Sequence, residues 1–284
     1  MPIDLDKAVG AVLPDVAIRW TPDDVILYHL GIGAGDRPTD PRELAYVYEQ
    51  GLKVLPSFCV IPAMEAVRGM HSVPGLTFNP ALVLHGEHEI EMMAPLPVAA
   101  NVINSGRIKA IYDKRKAAVV VIETETKDET GRLLCYNRCS VFLRGEGSFG
   151  GPSGPKTARE LPNRSPDQVI ESPTLPQQAL LYRLSGDKNP LHADPHFAGL
   201  AGFDRPILHG LCSYGIVCKA IVEHCFDGDT TRMQSYSVRF RDVVYPGETI
   251  VTSLWNEDGR ILVQAHVKER QSLVLTNACV TING

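Results

Sequence analysis

Residues 211–224 read LCSYGIVCKAIVEH, and four β-branched runs follow: SYSVRFR at 235–241, ETIVTSLWN at 248–256, RILVQAHVKER at 260–270 and SLVLTNACVTI at 272–282. The first segment is apolar on most faces, as expected of a helix buried all round. The runs are punctuated by Pro246-Gly247 and Asp258-Gly259, both turn-forming pairs, so they read as antiparallel strands. A helix that needs cover on every side, followed by a meandering sheet, predicts a sheet wrapped around that helix.

Working outward, the first half shows matching runs: HGEHEIEMM at 85–93, ANVINSGRIKAIYDK at 100–114, AAVVVIETETKD at 117–128 and RLLCYNRCSVFLRG at 132–145. MMAPLPVAANV at 92–102 stands where VVYPGETIVTS stands at 243–253, and Leu27-Tyr28-His29-Leu30 before Gly35-Asp36 echoes Leu181-Tyr182-Arg183-Leu184 before Gly186-Asp187. Between the halves, GEGSFGGPSGPKTARELPNRSPD at 145–167 is rich in Gly, Pro and Ser and carries no apolar periodicity. The expected organisation is a first half at 1–150, a linker at 151–166 and a second half at 167–284. The expected fold is α+β, two repeats of a central helix and an antiparallel β-sheet.

With 284 residues, 44% of them hydrophobic, the chain has enough apolar mass for one large core or two ordinary ones. The net charge of −5 and the lack of any block of like charges argue against nucleic acid and anionic membranes as partners. The opening MPIDLDKAVGAVLPDV is acidic early and has no basic-then-apolar pattern, no stretch approaches the roughly 18 apolar residues of a membrane span, and VTING is no Ser-Lys-Leu tail. A cytoplasmic protein is the expectation. Seven cysteines, odd in number and without CxxC or Cys/His ligand spacing, read as reduced core residues.

The chemistry is concentrated in Tyr182-Arg183-Leu184-Ser185-Gly186-Asp187-Lys188-Asn189-Pro190-Leu191-His192 and the following residues to Ala198. Gly186, Asp187, Asn189 and Pro190 are turn formers, which predicts an ordered loop carrying a carboxylate five residues from an imidazole. An Asp–His pair suits the handling of one water molecule, one group taking a proton while the other gives one. Asn189 would orient either partner and Pro190 would limit the loop. Gly210 lies 18 residues beyond His192, just before the buried helix, where a backbone N–H is free to face an anion. Adding water to an α,β-unsaturated thioester builds negative charge on the carbonyl oxygen, so such a donor and such a pair suffice, with no metal or redox cofactor.

These residues closely resemble the hydratase-2 signature of the MaoC-like (R)-specific enoyl-CoA hydratases, as in the hydratase unit of peroxisomal multifunctional enzyme type 2. The pattern aromatic-x-(aliphatic)-Ser-Gly-Asp-x-Asn-Pro-(aliphatic)-His, with a small residue six positions on, is met by Tyr182 to His192 and Ala198. Val54 to Pro62 and Leu84-His85-Gly86-Glu87 look like landmarks of the family's N-terminal half. The resemblance implies a double hot-dog fold and conversion of trans-2-enoyl-CoA to (3R)-3-hydroxyacyl-CoA, coenzyme A being part of the substrate and a homodimer a family-level expectation. It implies that Asp187, His192 and Asn189 are catalytic and that Gly210 donates to the thioester oxygen. His85, Gly86, Lys114 and Phe240, with Lys188, Pro190 and Leu191 of the motif, are the implied substrate contacts. His196, His209 and His224 read as structural.

The first half departs from the motif: Asp36 is present, but Pro41 replaces the histidine and Pro38-Thr39 stands for Asn189-Pro190. One active site per chain follows, with the degenerate half free to accommodate a bulkier acyl group. A 3-hydroxyacyl dehydratase acting on acyl-carrier protein would use the same residues. A thioesterase is a weaker alternative, because 211–222 holds no Asp or Glu. A catalytically silent acyl-CoA-binding partner subunit is the reading from a different class.

Overall fold

The computed structural model describes residues 3–155 and 158–283; Lys156 and Thr157, inside the expected linker, lie outside the described residues. The helices are Leu5–Ala8 (α1), Pro22–Gly31 (α2), Pro41–Val47 (α3), Val60–Arg68 (α4), Gln178–Tyr182 (α5), Pro195–Leu200 (α6) and Gly210–Cys225 (α7). The strands are Val12–Trp20 (β1), Val83–Met92 (β2), Ala100–Asp113 (β3), Ala117–Asp128 (β4), Leu133–Arg144 (β5), Gln168–Pro173 (β6), Met233–Phe240 (β7), Thr249–Glu257 (β8), Arg260–Val267 (β9) and Leu273–Ile282 (β10). Among the described residues no helix is long and apolar enough to cross a membrane. The seven cysteines are all free, and all but Cys225 are buried.

Two compact units form, and neither is continuous in sequence. One comprises the chain up to Arg19 with Cys59–Ala94 and Asn101–Arg159; the other comprises Trp20–Phe58, Pro95–Ala100 and the chain from Glu160 onward. In the first, the strands run in the order β1-β3-β4-β5-β2, with β3–β4, β4–β5 and β5–β2 antiparallel. Alternate residues of β4, Ala118, Val120 and Ile122, point into a cluster with Ile108 and Ile111 of β3, Val141 and Leu143 of β5, and Val67 of α4. Each fully buried Val or Ile contributes about 1.5–3 kcal/mol, which is what seats α4 on β4 and β5.

In the second unit the order is β7-β10-β9-β8-β6, antiparallel between neighbours, and α7 lies against β6, β7 and β8. As its apolar sequence predicts, α7 is buried without a break from Leu211 to Cys218 and again from Ala220 to Val222. Lys219 interrupts this run, and its Nζ is neutralised at 2.8 Å by Glu43 of α3 and at 2.8 Å by Glu223.

The Leu-Tyr echo has a structural meaning. Tyr28 of α2 and Tyr182 of α5 are both buried, with ring centroids 6.0 Å apart. Gly31 lets the two backbones approach: a Cβ there would stand 3.1 Å from Tyr182 Cα. Gln178 Nε2 donates to the Gly31 carbonyl at 2.7 Å and to that of Leu30 at 3.2 Å, satisfying the end of α2. The two copies of the repeat are therefore packing partners inside one unit, which is why residues 20–58 belong with the second sheet.

Gly215 faces the same contact, since a Cβ built on it would lie 2.7 Å from both Ile32 Cγ2 and Tyr28 Oη. Alanine is favoured over glycine in a helix by about 1 kcal/mol, but forced overpacking costs about 1–3 kcal/mol. Gly215→Ala is expected to lower the urea midpoint, and a raised midpoint would show that α2 yields to the added methyl.

Candidate active site

The loop after α5 is built by local constraints that the sequence spells out. A 3₁₀ turn over Arg183–Ser185 ends at Gly186, whose φ of +132° is accessible to glycine and turns the chain into Asp187. Asp187 Oδ1 accepts from Asn189 N at 3.1 Å, and Asn189 Oδ1 accepts from Leu191 N at 3.0 Å. Asn189 thus caps a second 3₁₀ turn, Pro190–His192, whose start suits proline's fixed φ. Asn189 acts on the geometry by holding this turn, which ends in His192 and begins three residues after Asp187.

His192 is 8% exposed, and its Nδ1 donates to the Ile207 carbonyl at 2.9 Å. A carbonyl only accepts, so the proton sits on Nδ1 and Nε2 presents a lone pair. Burial lowers the His192 pKa; the Ile207 bond and the Asp187 charge oppose this, while Arg183 adds to it. The imidazole is therefore neutral near pH 7. The ligand-type atoms of Asp187, His192 and His209 all lie within 4.8 Å of one another, with Asp187 exposed and both rings buried. The cluster brings an exposed acceptor carboxylate and a buried imidazole within reach of one another. His209, read from the sequence as structural, is the third member of this cluster. The available signal was its position directly before Gly210.

Gly210 opens α7 as its first residue, so its N–H belongs to the helix-end amides that lack an intrahelical acceptor. A Cβ on Gly210 would stand 3.3 Å from the Phe240 ring, so two positions singled out separately in the sequence are neighbours. Lys188 and Pro190 are exposed and Leu191 is half-buried; the Leu191 carbonyl accepts from Ile207 N at 3.4 Å.

His85, Gly86 and Lys114 belong to the other unit. A bulge at Gly86 changes the pairing of β2, with His85 opposite Val141 but Glu87 already opposite Ser140. In a regular strand residues three apart face opposite sides; the extra residue puts His85 and His88 on one side, where His88 pairs with Cys139. A Cβ on Gly86 would be 3.2 Å from the Ser140 carbonyl. His85 Nε2 lies 3.2 Å from His88 Nδ1 and 3.3 Å from Cys139 Sγ, a second group with ligand-type atoms. Burial lowers His85 well below the usual value, holds His88 at about 4 and lifts the Cys139 thiol to about 12, so all three are neutral. Lys114 is exposed at the β3–β4 turn, donating to the Ser153 carbonyl with its Nζ 5.8 Å from the Tyr112 ring centroid.

Two family models cover most of the chain: the MFE-2 hydratase 2 N-terminal domain matches residues 19–145 and the MaoC like domain matches 157–278. The chain belongs to the MaoC-like hydratase 2 family. It is 48% identical to the enoyl-CoA hydratase ChsH3 of Mycobacterium tuberculosis over 94% of each chain. It is 44% identical to the peroxisomal enoyl-CoA hydratase 2 of Arabidopsis thaliana, over 95% of this chain and 93% of the relative. Among solved structures it resembles the peroxisomal multifunctional enzyme type 2 of Drosophila melanogaster, at 34% identity and a TM-score of 0.84. That match covers 96% of this chain and 48% of the Drosophila protein, so the hydratase 2 chain spans about half of that longer enzyme. A double-hotdog protein of M. tuberculosis, 15% identical with a TM-score of 0.58, shares the fold. The double hot-dog expected from the sequence is the fold of this family member.

The buried imidazoles of the hydratase 2 chain set its acid sensitivity. Burial holds His29 and His88 at about 4 and His209 at about 3 in the fold, against an unfolded value near 6.5. The unfolded chain binds more protons below that value, so stability is complete above it and falls as pH drops through it. From pH 7 to pH 5, above most carboxylate titration, the urea midpoint is expected to fall, each such group contributing at most about 1.4 kcal/mol per pH unit. A flat midpoint over this window would mean that these rings titrate normally in the fold.

Proposed function

We propose that the protein is an (R)-specific enoyl-CoA hydratase that adds water to trans-2-enoyl-CoA and yields (3R)-3-hydroxyacyl-CoA. The observation that carries this reading is the convergence of Asp187 and His192 within 4.8 Å, with the imidazole proton committed to Ile207. A water held between the carboxylate and Nε2 loses a proton to the pair as its oxygen bonds to C3 of the enoyl group. The double bond's electrons move onto the thioester oxygen as an enolate, and the pair returns the proton to C2 when the enolate collapses. Hydroxyl and proton both come from the water, so the chemistry closes without a cofactor. The Gly210 N–H, at the positive end of α7, stabilises the enolate oxygen.

Phe240 beside Gly210 would then line the acyl path, and His85, Gly86, Lys114, Lys188, Pro190 and Leu191 are the further substrate contacts proposed with it. A homodimer and a cytoplasmic location complete the reading. The Arabidopsis relative is named peroxisomal, and cell fractionation separates the two locations.

The test is loss of enoyl-thioester absorbance with crotonyl-CoA, a medium-chain enoyl-CoA and a bulky branched enoyl-CoA, with chiral analysis of the product. Asp187→Asn and His192→Gln are each expected to lower kcat by about 10²–10⁴-fold with the fold intact. Parent-like turnover in either variant would remove that residue from the chemistry. Hydration of an acyl-carrier-protein thioester but none of the CoA substrates would shift the reading to the carrier-protein dehydratase. Gly210→Val is expected to abolish activity, since its branched side chain must enter the space held by Phe240.

A further inference from the structure

His209 immediately precedes α7 and is 1% exposed. Its ring stacks on His192, with centroids 3.7 Å apart and planes inclined by 27°. Tyr182 lies against it at 4.9 Å. Its Nε2 is 3.2 Å from the main-chain carbonyl of Asp187, and because that oxygen only accepts, Nε2 carries the hydrogen. Nδ1 is then a buried acceptor with no hydrogen-bond partner among the described residues. An apolar side chain would pack here without that unmet acceptor, so packing alone does not account for an imidazole.

We propose that His209 is a positioning residue that ties the two reacting groups together, its N–H fixing the backbone of Asp187 and its ring face fixing His192. This rests on the hydratase reading, in which Asp187 and His192 share one water. Burial, reinforced by the repulsion that a protonated His192 would exert, holds His209 at about 3, so it stays neutral at ordinary pH and does not carry the reaction's proton. What it supplies is distance and angle. The pair spans two separate turns, Asp187 just after Gly186 and His192 at the end of Pro190–His192, and His209 touches both.

Two substitutions separate the two contacts. His209→Phe keeps a ring against His192 and removes the N–H; His209→Gln keeps an Nε2 donor and removes the ring. His209→Phe is expected to lower kcat by about 10–100-fold while KM stays within about threefold, as for a misplaced reacting pair. His209→Gln is expected to recover part of that loss, and thermal midpoints are expected to remain near the parent's. Amide hydrogen exchange over residues 186–192 gives a readout free of activity, expected to be faster in His209→Phe than in the parent or His209→Gln. Parent-like kcat in His209→Phe, a loss carried wholly by KM, or unchanged exchange overturns the assignment. If the parent hydrates none of the enoyl-CoA substrates, the hydratase reading fails by itself. Exchange then still decides on His209: acceleration upholds the tie, and no acceleration overturns it.

Discussion

A helix apolar on most faces must be enclosed, and α7 packs against β6, β7 and β8 and is buried from Leu211 to Val222 except at Lys219. Enclosure fixes where its first turn lies, and with it Gly210 and the preceding segment from Ile207. The Ile207 carbonyl sets the tautomer of His192, and His209 meets the backbone of Asp187. The cluster of Asp187, His192 and His209 is thus assembled at the entrance of one buried helix, with Asp187 and His192 contributed by a loop 18 or more residues earlier. Loops that carry function need such a scaffold, since their own backbone has few partners.

Much of this was legible beforehand. Eight of the ten described strands fall where the β-branched runs placed them, because alternation and turn chemistry are local properties, whereas Val12–Trp20 and Gln168–Pro173 form strands outside those runs. The motif from Tyr182 to His192 announced its loop through Gly186, Asn189 and Pro190, each of which does the job its chemistry suggests. The signal failed where meaning came from neighbours distant in sequence. Residues 20–58 read as part of the first half, yet they pack with the second sheet, because Tyr28 finds Tyr182 and Gly31 finds its backbone. Nothing local shows that a histidine before a helix will stack on another 17 residues away, as His209 does on His192.

The first unit shows how one glycine reassigns a strand's faces. Without the bulge at Gly86, His85 and His88 would lie on opposite sides of β2, and a buried charge-neutral group of two imidazoles and the Cys139 thiol would not form. Periodicity counting misses such a change by construction, since it assumes the period that the bulge interrupts. His85 is drawn into a shared polar cluster, and its contribution depends on that cluster as a whole.

The pairing of Tyr28 with Tyr182 has a consequence for how the two halves can be separated. The first half carries Pro41 where the motif has its histidine and Pro38-Thr39 where it has Asn-Pro, yet its α2 packs against α5 of the second half inside one unit. The transfer runs one way: the second unit holds 20–58 and 95–100 of the first half, while the first unit takes nothing from 167–284. A first half removed at the linker would therefore take α2 with it and strip Tyr182 of the Tyr28 ring it packs against.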